Sequence, residues 1–192
     1  MLHVRWLALS FLLTSIAFAP ASSQARALIV YGNAGRMFPL TNLSNAGDDL
    51  SPSRTYGGGV GLQLGPTTAL RINVNISESN LRGQTLSLSD PSLKRSYYGA
   101  ELMFGTPSNA GLAPYFFVGG GRMTVDPDET GTNTNSKLAG RLGTGVNYVP
   151  DNSFFVLFVE VTGWAYQFDL LSFNKLQLDA AVQGGLAFAV PF

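Results

Sequence analysis

Residues 70–77 read Leu-Arg-Ile-Asn-Val-Asn-Ile-Ser, and this stretch decides the fold. Leucine, isoleucine and valine occupy its even positions, while arginine, asparagine and serine occupy its odd positions. Because successive side chains of a β-strand point to opposite faces, this strict alternation predicts a strand between two unlike environments. One of these environments is apolar, and the other accepts small polar and charged groups.

The same period of two recurs along the chain and predicts strands at 27–38, 56–65, 70–77, 95–104, 114–125, 137–148, 154–168 and 178–192. Their connections alternate in length. The connections 39–55, 78–92, 126–136 and 169–175 are long or moderate, and 65–68, 105–113 and 149–152 are mostly shorter. In an up-and-down meander the longer set gathers at one end, which is the plan of a bacterial outer-membrane barrel. We therefore predict an all-β fold, an eight-stranded antiparallel up-and-down transmembrane β-barrel.

The amino-acid composition excludes several classes of function. Only 12% of the residues are charged, the formal net charge is zero, and the chain contains no cysteine. A neutral chain lacks the basic surface of a nucleic-acid-binding protein, so no nucleic-acid partner is expected. Without cysteine there are no disulfides and no thiolate metal sites. We predict no cofactor and no metal site.

The first 25 residues have the features of a secretory signal peptide. Arg5 gives a positive start, residues 6–19 are apolar but short for a membrane span, and Ser23-Gln24-Ala25 fits a small-x-small cleavage site. The sequence therefore predicts a signal peptide at 1–25 and a barrel domain at 26–192. The single histidine, His3, is removed with the predicted signal peptide. Residues 26–192 then contain no histidine, which excludes Ser–His catalysis in the barrel domain. We therefore predict that the protein is not an enzyme.

Alternation by itself also fits a soluble periplasmic ligand-binding barrel with its apolar face inside. However, the face opposite the leucines, isoleucines and valines consists largely of glycine and asparagine with few charges, and it would make a poorly soluble surface. Small residues fit a narrow lumen instead. A closed barrel also satisfies every backbone N–H and C=O in hydrocarbon. We therefore predict that the branched apolar side chains contact lipid.

Aromatic residues lie near many predicted strand ends: Phe38, Tyr56, Phe104, Tyr115, Tyr148, Phe155, Tyr166, Phe168, Phe188 and Phe192. Those that face lipid are expected to form the aromatic girdles of a membrane barrel. At the C-terminus Phe188, Val190 and Phe192 share one face of the last strand, which is expected to close the barrel against the first strand.

The terminal aromatic with alternate hydrophobics resembles the sorting signal that the barrel-assembly machinery of Gram-negative bacteria reads. Further motifs are Phe38-Pro39-Leu40, Ala113-Pro114-Tyr115 with Gly119-Gly120-Gly121, and Gly143-Thr-Gly-Val-Asn-Tyr148. In their order and spacing, residues 26–192 resemble the small outer-membrane barrel-domain family, similar to the transmembrane domain of outer-membrane protein A and to opacity-type proteins. The resemblance implies an outer-membrane location. It also implies an assembly signal at Phe188, Val190 and Phe192, and it implies the assembly machinery, outer-membrane lipid and lipopolysaccharide as partners.

A set of polar residues falls on the predicted lumen face: Arg71, Arg95, Glu101, Arg141, Glu160, Asp179 and Gln183, with Arg122 as a further candidate. Charges in a narrow, partly dry interior must pair, because an unpaired buried ion is costly. We predict a ladder of Arg–Glu pairs with Glu101 and Glu160 as central acceptors. A structural plug is the favoured interpretation, and a gate or narrow pore is the alternative.

Other motifs carry less information. The acidic stretch of Asp126, Asp128 and Glu129 lacks the spaced ligands of a calcium loop and is expected to be solvated. The glycine runs 57–61 and 119–121 lack the Lys-Ser/Thr of a phosphate loop and are expected to allow close packing or curvature. The favoured function is a monomeric structural or surface-interaction barrel whose loops meet an unidentified ligand. A small-solute transport barrel and the soluble periplasmic barrel remain as alternatives.

Overall fold

The structure is a computed structural model that describes residues 27–43, 48–82, 92–105, 111–127, 135–151, 153–170 and 173–191. The predicted signal peptide at 1–25, the acidic residues Asp128 and Glu129, and Phe192 lie outside the described residues. Within the described ranges, no helix has the length and apolar character needed to cross a membrane.

The described residues form nine strands: β1 (Ala27–Pro39), β2 (Asp49–Leu50), β3 (Ser53–Gly65), β4 (Thr68–Arg82), β5 (Ser92–Phe104), β6 (Gly111–Pro127), β7 (Asn135–Val149), β8 (Phe155–Leu170) and β9 (Phe173–Pro191). The eight long strands pair antiparallel in chain order, and β1 pairs with β9 from Ala27↔Pro191 to Pro39↔Asp179. The predicted eight-stranded barrel is therefore confirmed, including closure between the first and last long strands. The short β2 is an addition within the first long connection, where it pairs with the end of β4.

The predicted connection at 169–175 is wrong. Strand β8 continues to Leu170 and β9 begins at Phe173, with Asp169 opposite Asn174 in the register. The Asp169 carboxylate accepts a 2.8 Å bond from Lys137 Nζ on β7. Polar residues at this end suggest a loop in the sequence, but they also suit strands that extend past the hydrocarbon into water.

Strand β4 shows which face is outside. Its apolar side chains are exposed, with Ile72 at 57% and Val74 at 47%, whereas Arg71 and Asn73 are at 4% and 1%. The same division holds around the barrel, where most large apolar side chains of the strands point outward. A soluble barrel would bury these groups, so the soluble alternative is not retained. The predicted orientation, with the apolar face toward lipid, agrees with the structure.

The aromatic residues at the strand ends divide between the two faces. Phe38, Tyr56, Tyr148 and Phe188 are exposed on the outer face, as expected of girdle residues. In contrast, Tyr115, Tyr166 and Phe168 are buried inside the barrel. These three therefore do not belong to the girdles, because they have the parity of the inner face of β6 and β8.

Glycines on the inner face provide the space that the buried rings occupy. A Cβ added at Gly143 would lie 2.4 Å from Cζ of Phe117, and one at Gly185 would lie 2.4 Å from Cζ of Phe158. On β6, a Cβ at Gly119 would lie 2.2 Å from the backbone oxygen of Ala100. These glycines therefore allow close packing, and Gly119 does so within the run 119–121 for which the sequence predicts it.

Candidate functional site: the polar lumen

Four charged side chains from four strands meet in the lumen. Arg71 of β4 places Nη2 2.7 Å from Oε2 of Glu101 and Nη1 3.3 Å from Oε2 of Glu160. Arg141 of β7 bonds Oε1 of Glu101 and lies 3.1 Å from Oε1 of Glu160 through Nη2. Each arginine thus contacts both glutamates, and the two pairs form a closed ring, called here the quartet (Arg71, Glu101, Arg141 and Glu160).

The quartet is buried and has no net formal charge. Each of its side chains is at most 5% exposed. Charges removed from water to this extent are stable only when the partner charges and hydrogen bonds are well placed. Tyr115 provides one further bond, since its hydroxyl donates to Oε2 of Glu160 at 3.0 Å.

Aromatic rings cover the guanidinium groups. The ring of Phe117 lies between the two arginines, with its centroid 4.6 Å from Cζ of Arg71 and 5.1 Å from Cζ of Arg141. Trp164 lies 5.1 Å from Cζ of Arg141, and Tyr31 lies 5.3 Å from Cζ of Arg71. These contacts stabilise the cations and exclude water from the quartet. The sequence prediction missed the rings, although Trp164 has the same parity as Glu160 on β8. No charged residue of β1 or β6 shares the parity of Tyr31 or Phe117, so charge could not reveal these two.

A second cluster lies closer to the long-loop end. Arg95 of β5 pairs with Asp179 of β9 at 2.6 Å, and its other terminal nitrogen bonds the hydroxyls of Ser53 and Ser79. Tyr166 donates its hydroxyl hydrogen to Oδ2 of Asp179 at 2.9 Å. The charged residues therefore form two clusters instead of one ladder of Arg–Glu pairs. Arg95 and Glu101 are six positions apart on β5, which is about 20 Å along an extended strand.

Two of the remaining candidates lie elsewhere. The side-chain nitrogen of Gln183 lies 3.4 Å from Oδ1 of Asn75 and 3.5 Å from Oγ1 of Thr55. Gln183 therefore contacts neutral polar side chains and belongs to neither charged cluster. Arg122 is exposed on the outer face, and its assignment to the lumen is wrong. The parity of β6, which points Met123 and Val125 inward, places Arg122 outside.

The two ends of the lumen differ. At the long-loop end the first connection folds inward and buries Leu43 and Leu50 against Leu81 and Leu93. At the short-turn end there is a cavity of about 80 Å³, bounded mostly by apolar side chains and by the polar residues Tyr31, Gln63, Arg71, Tyr115 and Asn147. The hydroxyl of Tyr31 is buried beside this cavity and has no hydrogen-bond partner among the described residues.

Neither cluster has the arrangement of a metal centre. Within the described part of the chain, no group of three or more histidine, cysteine, aspartate or glutamate side chains is placed to hold a metal ion. Both carboxylates of the quartet are instead neutralised by arginine. The arrangement holds opposite charges together across the lumen.

The predicted C-terminal signal is described in part. Phe188 and Val190 are exposed on the outer face of β9 at the short-turn end. The ring of Phe188 stacks on that of Phe154 with centroids 5.9 Å apart. Their role as an assembly signal stays a prediction.

A closed barrel with an apolar exterior and a charge-paired interior defines an integral β-barrel of the bacterial outer membrane. The chain belongs to the outer membrane protein beta-barrel domain family, whose model matches residues 9–183. This assignment confirms the resemblance and the outer-membrane location that the sequence predicts.

Solved structures show the same fold. Neisserial surface protein A (NspA) superposes with a TM-score of 0.63 at 13% identity, covering 84% of this chain and 96% of that chain. The outer-membrane protein AlkL, solved in DMPC lipid bilayers, superposes with a TM-score of 0.53 at 16% identity, and the match covers 91% of this chain and 96% of that chain. OprG from Pseudomonas aeruginosa superposes with a TM-score of 0.52 at 14% identity, and the match covers 86% of this chain and 96% of that chain. At these identities the likeness concerns the fold alone. No curated protein sequence matches the chain.

Proposed function

We propose that this protein is a monomeric outer-membrane barrel whose lumen is closed by its own side chains, and that it serves a structural or surface-interaction role. The quartet is the observation that carries the proposal. It joins β4, β5, β7 and β8 across the interior through four ion pairs. A small barrel filled by side chains in this way has no room for a continuous water column.

Two further layers support a closed lumen. The Arg95–Asp179 cluster lies between the quartet and the long-loop end, and the buried leucines of the first connection lie beyond it. A hydrated solute crossing the barrel would have to separate both sets of ion pairs and displace the leucines. Separating buried ions without replacing their partners costs several kcal/mol for each ion.

Planar-bilayer recording tests the closed lumen. The full chain, refolded into detergent and shown to be folded by its heat-modifiable mobility on gels, is added to a bilayer. We expect membrane insertion, verified by protease protection, without a reproducible unitary conductance. A stable conductance of constant size in the wild-type protein contradicts the proposal.

The cavity at the short-turn end favours a second candidate, the binding or transport of a small solute. Its apolar walls and the unpartnered hydroxyl of Tyr31 suit a small molecule with one hydrogen-bond acceptor. However, the cavity ends at Arg71, which is part of the quartet. Uptake of a small apolar probe into proteoliposomes distinguishes the two candidates, because a closed barrel leaves the uptake rate at that of empty liposomes.

The proposed partners follow from the outer face and the last strand. The exposed apolar side chains suit the acyl chains of outer-membrane lipid and lipopolysaccharide. The alternate residues Phe188, Val190 and Phe192 suit recognition by the barrel-assembly machinery. Replacing Phe192 by serine is expected to slow assembly into membranes that contain the machinery, while Phe38→Ser leaves the rate unchanged. Equal rates for wild type and Phe192→Ser contradict this role.

A further inference from the structure

The cationic residues of the outer face lie at one end of the barrel. Three of the described arginines (Arg71, Arg95 and Arg141) are buried in the lumen. The remaining described cations lie within five residues of the long-loop end of their strands. Five of them are exposed on the outer face: Arg36, Arg54, Arg82, Lys94 and Arg122. Lys137 and Lys175 are half-buried and have the parity of the inner face. Outer-membrane barrels have long extracellular loops and short periplasmic turns. The long-loop end is therefore where the head groups of the outer leaflet contact the barrel.

Within this set, Arg36 of β1 and Arg54 of β3 are a special pair. They are directly opposite each other in the register, and both are exposed. Like charges in this position destabilise a sheet. Neither guanidinium has a carboxylate partner among the described residues. Both arginines also line a recess of about 370 Å³.

The other cations at this end have different neighbours. Lys94 lies between Glu78 and Asp126 in the register, Arg82 lies opposite Asp49, and Lys137 bonds Asp169 at 2.8 Å. The Arg36–Arg54 pair is therefore the one like-charged cross-strand pair in the described part of the sheet. Arg36 is also held in place, because its Cζ lies 5.9 Å from the ring centroid of Phe38.

A shallow groove continues from the arginine pair toward the membrane centre. On β1 the outward positions below Arg36 are Ala34, opposite Gly184 of β9, and Gly32, opposite Gly58 of β3. The exposed ring of Tyr56, the outward residue of β3 between Arg54 and Gly58, borders this groove. Internal packing does not require glycine at two of them. A Cβ added at Gly32 or Gly184 would meet only ordinary van der Waals contacts, at 3.8 Å and 3.7 Å. The small residues therefore leave a depression in the outer face of β1, β3 and β9. A second row of small outward residues, Ala100, Gly120, Gly140 and Ala165, crosses β5 to β8 on another part of the outer face.

We infer that this region binds one phosphorylated lipid of the outer leaflet, with its phosphate between Arg36 and Arg54 and an acyl chain in the groove formed by Gly32, Ala34, Gly58 and Gly184. Two guanidinium groups offer several donors to a phosphate and balance its charge. The groove begins below Arg36, at Ala34 and beside the ring of Tyr56, as an acyl chain requires. This inference deepens the proposed partnership with outer-membrane lipid and rests on the outward orientation of these strands.

Lipid retention tests the phosphate contact. The full-length protein is placed in phosphatidylcholine nanodiscs and titrated with lipid A, a phosphorylated glycolipid. We expect the double variant Arg36→Ala/Arg54→Ala to bind about tenfold more weakly or worse, because at least two charge-assisted hydrogen bonds are lost. Arg122→Ala, which removes an outer arginine far from the pair, is the matched control and is expected to stay within about twofold of wild type. Equal binding by the double variant and wild type overturns the inference.

A second variant tests the groove without changing charge. Gly32→Leu fills the depression and is expected to weaken lipid binding several-fold, whereas Gly140→Leu on β7 leaves it unchanged. Gly140 is also on the outer face, and a Cβ there has no neighbour within 4 Å. Heat-modifiable mobility verifies that all the variants are folded. If Gly32→Leu binds lipid as tightly as wild type, no acyl chain occupies the groove, and the lipid assignment fails.

Inorganic phosphate distinguishes a lipid site from a site for the free anion. We expect millimolar phosphate to displace little lipid, since it gains nothing from the groove. Displacement at concentrations equal to those of the lipid overturns the lipid assignment.

The conductance recording separates this inference from the proposed function. A conducting wild type that retains lipid contradicts only the closed lumen, and a closed double variant that retains lipid contradicts only the lipid site.

Discussion

Tyr115 and Glu160 are joined by a 3.0 Å hydrogen bond to the same carboxylate oxygen, Oε2, that Arg71 contacts at 3.3 Å. Tyr115 is on β6 and Glu160 is on β8, so the bond passes over the intervening strand β7. A tyrosine therefore fixes the position of a carboxylate that both arginines of the quartet share.

Removal of this hydroxyl is expected to weaken the barrel. Tyr115→Phe keeps the ring beside Phe117 but loses one bond to a charged acceptor, which costs about 1–3 kcal/mol. Urea titration of the protein refolded in lipid vesicles measures the free energy of unfolding. Tyr98→Phe, on the exposed face of β5, is the control and is expected to change it by less than about 0.5 kcal/mol. Equal losses in the two variants contradict the assigned bond.

The quartet is expected to behave as a coupled unit. Glu101→Gln leaves two arginines with one carboxylate between them, and we expect a loss of about 3–5 kcal/mol in the free energy of unfolding. Adding Arg141→Met restores one cation for one anion, so the double variant is expected to lose less than the sum of the single losses. A double-mutant cycle by urea titration measures this coupling.

The pair of Lys137 and Asp169 gives the matched comparison for the cycle. Its side chains are 37% and 45% exposed and 2.8 Å apart. An exposed pair of this kind couples by less than about 1 kcal/mol. If Glu101 and Arg141 couple no more strongly than Lys137 and Asp169, the quartet does not stabilise the fold as a unit.

The sequence predicts the faces of the strands well because alternation is a local property. Residues 70–77 and 95–104 have the faces that their parity indicates, and the lumen charges Arg71 and Glu101 follow from the same rule. The register between strands is not local. The sequence alone therefore could not show that Arg95 would meet Asp179, or that Arg71 and Arg141 would share two glutamates.

The buried aromatic residues show a second limit. Tyr115 and Phe117 suit a lipid interface and a packed lumen equally well, and composition favours the interface. Their burial depends on Gly143 and Gly145 of the neighbouring strand, whose missing side chains leave room for the rings. Pairing between an aromatic residue and a glycine on adjacent strands is a signal that appears only when the register is known.

Charge on the outer face is expected to have an effect that depends on depth. Ile72 is 57% exposed among the outward apolar residues of 70–76 on β4, and Ile72→Arg is expected to cost about 2–4 kcal/mol. Leu138 is near the long-loop end of β7, so Leu138→Arg is expected to cost about 0–1 kcal/mol. Urea titration in lipid vesicles measures both. A larger loss for Leu138→Arg contradicts the placement of Ile72 near the bilayer centre.

The inner face adds a comparison at Asn73, which is 1% exposed in the lumen. Asn73→Arg places the charge among polar groups but also crowds a filled interior. Asn73→Ser keeps a polar side chain in the lumen without adding a charge that lacks a partner. We expect it to cost less than Ile72→Arg in the same urea titration, and the reverse order contradicts the assignment of the two faces.

The space beside Phe117 predicts different tolerance at two glycines of β7. A Cβ at Gly143 would lie 2.4 Å both from Cζ of Phe117 and from the backbone oxygen of Val161. Gly143→Ala is therefore expected to cost about 1–3 kcal/mol through overpacking. Gly140→Ala, with no neighbour within 4 Å, is expected to be neutral or slightly stabilising. Thermal unfolding followed by gel mobility ranks the two, and equal stabilities contradict the packing.

The pairing of β1 with β9 has a kinetic consequence. Ala27 lies opposite Pro191, and Pro39 lies opposite Asp179, so this seam joins residues separated by 140 to 164 positions. Such contacts form late, because the loop-closure entropy must be overcome before the pairing contributes any energy. Until then β1 and β9 both present unpaired backbone edges, which are prone to aggregation in water. Synthesis and export of this chain therefore require that its first strand be kept from pairing wrongly until its last strand arrives.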